Sequence, residues 1–198
     1  MIRRIPILPT LLVLVAVAVM VRLGFWQLDR LGQKEALLAR FAGNSANVEL
    51  VDFPVAGSAA AAPVLYRHSS VDCKSPSDWQ AVSGSNVNGE TGWAHIVQCG
   101  VQGGLSAYVV AGWSRDSRTP TWSGGQVAGV ISPGGPAGAR LVADPPLAGL
   151  EANAKPDPAN VPNNHLAYAV QWFFFALTAL VIYALALRKR LAAPGSEG

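Results

Sequence analysis

The chain has 198 residues, 51% of them hydrophobic and 14% charged, with 15 Lys/Arg against 12 Asp/Glu. It has room for one ordinary domain between two apolar end runs, and not for two. The positive balance does not describe a nucleic-acid face, because residues 24–163 hold nine Lys/Arg against eleven Asp/Glu and the excess sits beside the apolar runs.

The first run, Ile5 to Val21, lies between Arg3/Arg4 and Arg22. Its length meets the lower limit for a helix crossing a hydrocarbon core about 30 Å thick. A cleaved signal peptide is the alternative, with Ala16-Val17-Ala18 as the small-residue site. Val19, Met20 and Val21 make a poor polar c-region, and the apolar pattern continues through Leu23, Phe25 and Leu28, which favours a retained anchor.

Residues 22–42 read as a helix leaving the membrane. Leu28, Leu31, Leu37, Leu38 and Phe41 recur at roughly helical intervals, Trp26 fits the interfacial aromatic belt, and Gly43 and Asn44 are stop signals. Residues 43–63 read as loop with room for one short helix. Strands are expected at 64–71, 92–98, 106–113 and 126–132, with a short fifth at 140–143. Gly103-Gly104 makes a hairpin-like link between the second and third of these. Residues 144–163 carry five prolines and read as an irregular return. The second run, Leu166 to Leu187, is closed by Arg188, Lys189 and Arg190.

Basic flanks on the outer side of both runs place both termini in the cytoplasm. Arg22 runs against this pattern, although a long side chain at a helix end reaches the interface. The expected fold class is membrane α+β, two transmembrane helices flanking a mostly antiparallel β domain. Residues 1–4 are a cytoplasmic N-terminus and 5–25 the first transmembrane helix. Residues 26–163 are a periplasmic helix plus β-rich domain, 164–187 the second transmembrane helix and 188–198 a cytoplasmic tail. No Arg/Ser-rich transit segment is recognisable, which favours a bacterial inner membrane.

Cys73 and Cys99 show no metal spacing. In an oxidising periplasm they are a candidate disulfide, with two free thiols as the alternative. His68 and His95 lie in expected strands and read as ordinary polar residues. His165, in Asn163-Asn164-His165-Leu166-Ala167-Tyr168, stands at the outer entrance of the second run, where Asn163 and Asn164 can cap a helix. Its imidazole can be an interfacial polar group or a haem-iron ligand, and by residue chemistry alone the first is the more usual. No nucleophile elbow, phosphate loop or carboxylate pair proposes an enzyme.

Taken together, Gly24-Phe25-Trp26-Gln27-Leu28-Asp29-Arg30 followed by Lys34, Ala111-Gly112-Trp113-Ser114-Arg115, and Asn163 to Tyr168 resemble the surfeit-locus family of cytochrome c oxidase assembly factors. Ala111 departs from the basic residue common before the Gly-Trp pair, and residues 73–99 are not a close family pattern. The resemblance implies a non-enzymatic chaperone role in building haem–copper oxidase, by delivering haem a to the catalytic subunit. It implies that subunit as partner, with haem a synthase and membrane lipid beside it and no nucleic acid. On the same resemblance His165 is the axial ligand, Arg30 meets a propionate, Trp26 and Gln27 shape the site, and Tyr168 faces it. Gly112 and Trp113 hold the fold. The alternatives are an oxidase scaffold or accessory subunit that binds no haem, and an unrelated anchored periplasmic binding module.

Overall fold

The computed structural model describes residues 6–55 and 58–192. Arg3, Arg4 and Ile5 and the last residues of the expected tail, from 193, lie outside the described residues. The chain forms two compact units. One is α1 as far as Leu37 together with the chain from Pro162, and the other is Leu38–Val161.

The first unit is a helical hairpin of α1 (Ile7–Ala46) and α3 (His165–Ala192). Both are long and apolar enough to cross a membrane, with 18-residue windows of mean hydropathy 2.4 and 2.1, only 6% of each buried. The less exposed positions on α1 include 10, 13, 17, 20, 24, 27, 31 and 34, and those on α3 include 165, 169, 172, 176, 179 and 183. These alternating steps of three and four are coiled-coil seam spacing, which keeps one stripe of each helix against the other. Thr10 hydrogen-bonds Tyr183, Gly24 meets Phe173 and Gln27 meets His165, so the helices run antiparallel. At Gly24 an added Cβ would lie 2.6 Å from the Phe173 ring, so only glycine permits this approach.

α1 is unbroken past the expected stop at Gly43 and Asn44. Asn44 instead fastens the helix end to the following turn, its Nδ2 donating to the carbonyls of Pro63 (3.0 Å) and Leu65 (2.8 Å). The segment after it holds the short helix α2 (Ser58–Ala61) and a 3₁₀ turn at Ala62–Val64.

The second unit is built on a seven-stranded sheet. Its strands are β1 (Val51–Asp52), β2 (His68–Cys73), β3 (Ser75–Ser85), β4 (Thr91–Gly100), β5 (Ser106–Ser114), β6 (Gly125–Pro133) and β7 (Ala139–Ala143). The order is β1-β2-β6-β7-β5-β4-β3. The sheet is mixed rather than purely antiparallel: β2–β6, β3–β4, β4–β5 and β6–β7 are antiparallel, in line with the expected mostly antiparallel domain, while β1–β2 and β5–β7 pair in parallel. The β5–β7 pair arises because β6 leaves β5, pairs with β2 on one side and hands β7 back to its other. The expected strand 64–71 begins only at His68, since Val64 to Tyr66 form a turn with Tyr66 at φ 66°.

β3 was not expected as a strand. It is an edge with no fully buried residue, with Pro76 in it and a bulge between Ser77 and Gln80, where Asp78 has φ 46°. Such features blunt an edge against further pairing and erase the alternation that marks a strand in sequence. Lys74 alone separates β2, second in the sheet order, from β3 at its far end, so one bent piece of chain joins the two sides of the sheet and the sheet curls back on itself.

Inside the curl, Val71, Val97, Val109, Val127, Ile131 and Leu141 form the core, packed by Trp79 from β3 and by Phe53, Trp122, Leu147 and Leu150 from the connections. Cys73 and Cys99 form a disulfide within it, joining β2 to β4 across the corner (Cα–Cα 5.0 Å). Trp113 is fully buried at the end of β5 and donates its indole N–H to the Gly84 carbonyl at 3.2 Å. A Cβ at Gly112 would lie 2.4 Å from that of Leu150, so this glycine lets the 147–151 segment cross the strand. Trp113 and Glu151 then exchange both backbone hydrogen bonds, at 2.7 and 2.9 Å.

Candidate functional site

In the helical unit, Trp26, Arg30, Gln33, Lys34 and Leu37 follow one another at steps of four, three, one and three. They therefore share one stripe of α1. His165, the first residue of α3, completes a pocket of about 440 Å³ with them. Asn164 precedes the helix, its carbonyl accepting from the Tyr168 amide at 3.2 Å.

The imidazole is held by a single contact. His165 Nδ1 lies 2.8 Å from Gln27 Oε1. An amide oxygen only accepts, so in the neutral imidazole Nδ1 carries the proton and Nε2 keeps its lone pair. No hydrogen bond occupies Nε2 among the described residues. Gln27 sits one helical turn beyond Gly24, and the close Gly24–Phe173 approach brings it within reach of α3. Phe25 packs edge-on against Phe173 at 5.4 Å, beside the same crossing.

The stripe is cationic. Arg30 donates to Gln33 Oε1 at 2.8 Å, and its guanidinium carbon lies 5.7 Å from the centroid of the Trp26 ring. That stacking presents the guanidinium with the ring beneath it. Neither Arg30 nor Lys34 takes part in an ion pair among the described residues. The pocket therefore combines an imidazole nitrogen, two cations, an indole face and an aliphatic side chain.

Trp26, Arg30 and His165 line this pocket, and Gln27 touches it through His165. Tyr168 is 51% exposed and does not line it. Gln33, Lys34 and Leu37 were not expected as site residues, Lys34 having been read only in the family motif and Leu37 only in the helical repeat, although their spacing from Trp26 carries the signal.

The other histidines lie in the β unit. His95 is buried on β4 with Nε2 2.8 Å from Ser114 Oγ, which itself donates to the Asp116 carbonyl at 2.5 Å. His95 therefore donates, as a structural polar group, and His68 is half-buried in β2. Among the described residues no three His, Cys, Asp or Glu side chains are grouped to hold a metal ion. Nearby, the Arg118 guanidinium and amide hydrogen-bond the Asp116 carboxylate, holding it below its usual range and raising Arg118.

The family model of the SURF1 family matches residues 14–177, a span containing every pocket residue and the whole β unit. The chain belongs to the SURF1 family. No curated protein matches the chain. The SURF1 family is associated with cytochrome c oxidase assembly. In this member of the SURF1 family the Gly-Phe-Trp-Gln segment of α1 and the Asn-Asn-His segment before α3 meet in one place. The Gly-Trp pair lies apart, in the β unit.

Proposed function

We propose that this protein is a membrane-anchored assembly factor that handles haem a for the catalytic subunit of cytochrome c oxidase. α1 and α3 span the bacterial inner membrane, both termini are cytoplasmic, and the β unit faces the periplasm. That only 6% of each hydropathy window is buried supports the membrane reading, since water would not tolerate so much apolar surface. The buried disulfide supports an oxidising compartment for the β unit.

The Gln27–His165 hydrogen bond carries the haem reading. Iron-ligating histidines commonly donate their second N–H to a neighbouring acceptor, which fixes the tautomer and turns the free nitrogen outward. His165 is arranged in that way. The donor set fits the group: His165 Nε2 for the iron, Trp26 and Leu37 for the apolar porphyrin, and Arg30 and Lys34 for its carboxylates. Haem a supplies the redox centre of the oxidase that receives it. This chain binds, orients and releases, and no side chain here has a catalytic role.

The test is an absorption spectrum of the full chain purified in detergent from cells that make haem a, beside His165→Ala. A haem spectrum in the parent that is lost in a folded variant is the expected result. A haem-free parent taken from membranes rich in haem a would overturn the reading and leave a scaffold or accessory subunit of the oxidase. In that case membranes without this protein would still lack assembled oxidase.

A further inference from the structure

The face of the sheet turned away from the main core carries a separate cavity of about 210 Å³. Val82, Ala94, Val110 and Val142 floor it, one each from β3, β4, β5 and β7. On β7, Leu141 is fully buried in the core, so alternation turns Arg140 and Val142 to this side. Asn153 lies over it from a segment tied to β3, where the Ala154 amide donates to the Ser85 carbonyl at 2.9 Å. Gly84 and Ala94 keep the cavity open: a Cβ on Gly84 would meet that of Ala94 at 2.9 Å.

Two buried donors in this lining are unsatisfied. Arg140 Nε and Asn153 Nδ2 both lack a hydrogen-bond partner, and Asn153 is only 7% exposed. Among the described residues the Arg140 side chain has no ion pair either. The carboxylate on this face, Asp144, lines the neighbouring cavity and is engaged by Lys155 at 3.0 Å. Buried donors are almost always satisfied, and an unsatisfied one costs free energy. The two side chains line one small cavity above an aliphatic floor, and the unpaired cation among them selects an anionic acceptor on an apolar stem.

We propose that this cavity binds a carboxylate carried on a short aliphatic stem. The Arg140 guanidinium supplies the charge, Asn153 Nδ2 the second hydrogen bond, and the four-residue floor receives the stem. The site is independent of the pocket at His165.

The experiment is an NMR titration of the ¹⁵N-labelled full chain in detergent micelles with sodium butyrate, and with butyramide as the neutral isostere. Saturable shifts confined to residues 82–84, 94, 140–142 and 153, with butyramide at least tenfold weaker, are expected. Arg140→Gln should weaken butyrate at least tenfold, with an unchanged near-UV circular dichroism spectrum. Arg140→Lys, which retains the charge, should weaken it less. Asn153→Ala provides an independent check on the second donor. A tripeptide with a free C-terminus competes with butyrate if the natural source is a protein terminus, and its amidated form does not. If only the free acid binds, the source is a small metabolite. Absence of saturable shifts, equal binding of butyramide, or indifference to both Arg140→Gln and Asn153→Ala would overturn the proposal.

Discussion

Gln27 touches the proposed haem site only through His165 and is a positioning residue. Gln27→Leu leaves the imidazole N–H unpaired in a half-buried seam and should reduce haem retention about tenfold, the lower end of losses at such supporting positions. Gln27→Glu keeps an acceptor and makes it stronger, so it should retain haem with a shifted visible spectrum. Equal retention by the Leu and Glu variants would show that the hydrogen bond does nothing for binding. Trp113 acts on stability: Trp113→Ala removes a fully buried indole and its bond to Gly84, and should cost about 3–5 kcal/mol in urea unfolding of the full chain in detergent. Tyr66, buried against Phe41, has its phenol pushed up, first by burial and then by the charge of Asp157. Its folded pKa lies above the unfolded value of about 10, so the folded state holds the proton longer. Stability is therefore full below pH ~10 and falls as pH rises through the folded pKa. Unfolding midpoints measured from pH 9 to 12 should decline in the parent and decline less in Tyr66→Phe.

At the level of elements, the α1–α3 crossing rests on one missing side chain. Gly24→Val would drive a methyl into the Phe173 ring, and overpacking of this kind typically costs about 1–3 kcal/mol. Haem retention and thermal midpoint should fall together, and Phe173→Ala in the same chain should restore both in part. Failure of the second substitution to rescue would locate the effect elsewhere. In the sheet, the disulfide closes a loop between residues 26 apart, worth about 3–4 kcal/mol by the loop-entropy relation. Reductant should lower the denaturation midpoint of the parent and leave Cys73→Ser/Cys99→Ser unchanged. Strands β6 and β7 were readable because their buried residues alternate with more exposed ones, as in Ala139, Leu141 and Ala143, and β4 and β5 because each carries a short continuous buried run bounded by glycines and serines. β3 was unreadable because an edge strand with Pro76 and a bulge is held by pairing with β4 rather than by its own pattern. Asn44, read as a stop, became a clasp because its acceptors at 63 and 65 were invisible to local reasoning.

For the whole molecule, alkaline phosphatase inserted in the 117–123 loop should be active, and green fluorescent protein fused after residue 198 should fluoresce. The reverse pattern would place the β unit in the cytoplasm and remove the compartment argument from the disulfide. Two helices of membrane-spanning length, their terminal positions and a β-rich middle were determined by the sequence alone. Hydrophobic run length, basic flanks and two-residue alternation are local properties that need no partner to be seen. The motifs at 24–30 and 163–168 were likewise legible as a family resemblance, and with them His165, Trp26, Gln27 and Arg30. The tertiary structure alone decided that Gln27 holds His165, that Gln33 and Leu37 line the pocket while Tyr168 does not, and that β5 and β7 lie parallel. Each of these depends on residues distant in the chain, and helix phase and strand register are set by the opposing surface rather than by the residues of one segment.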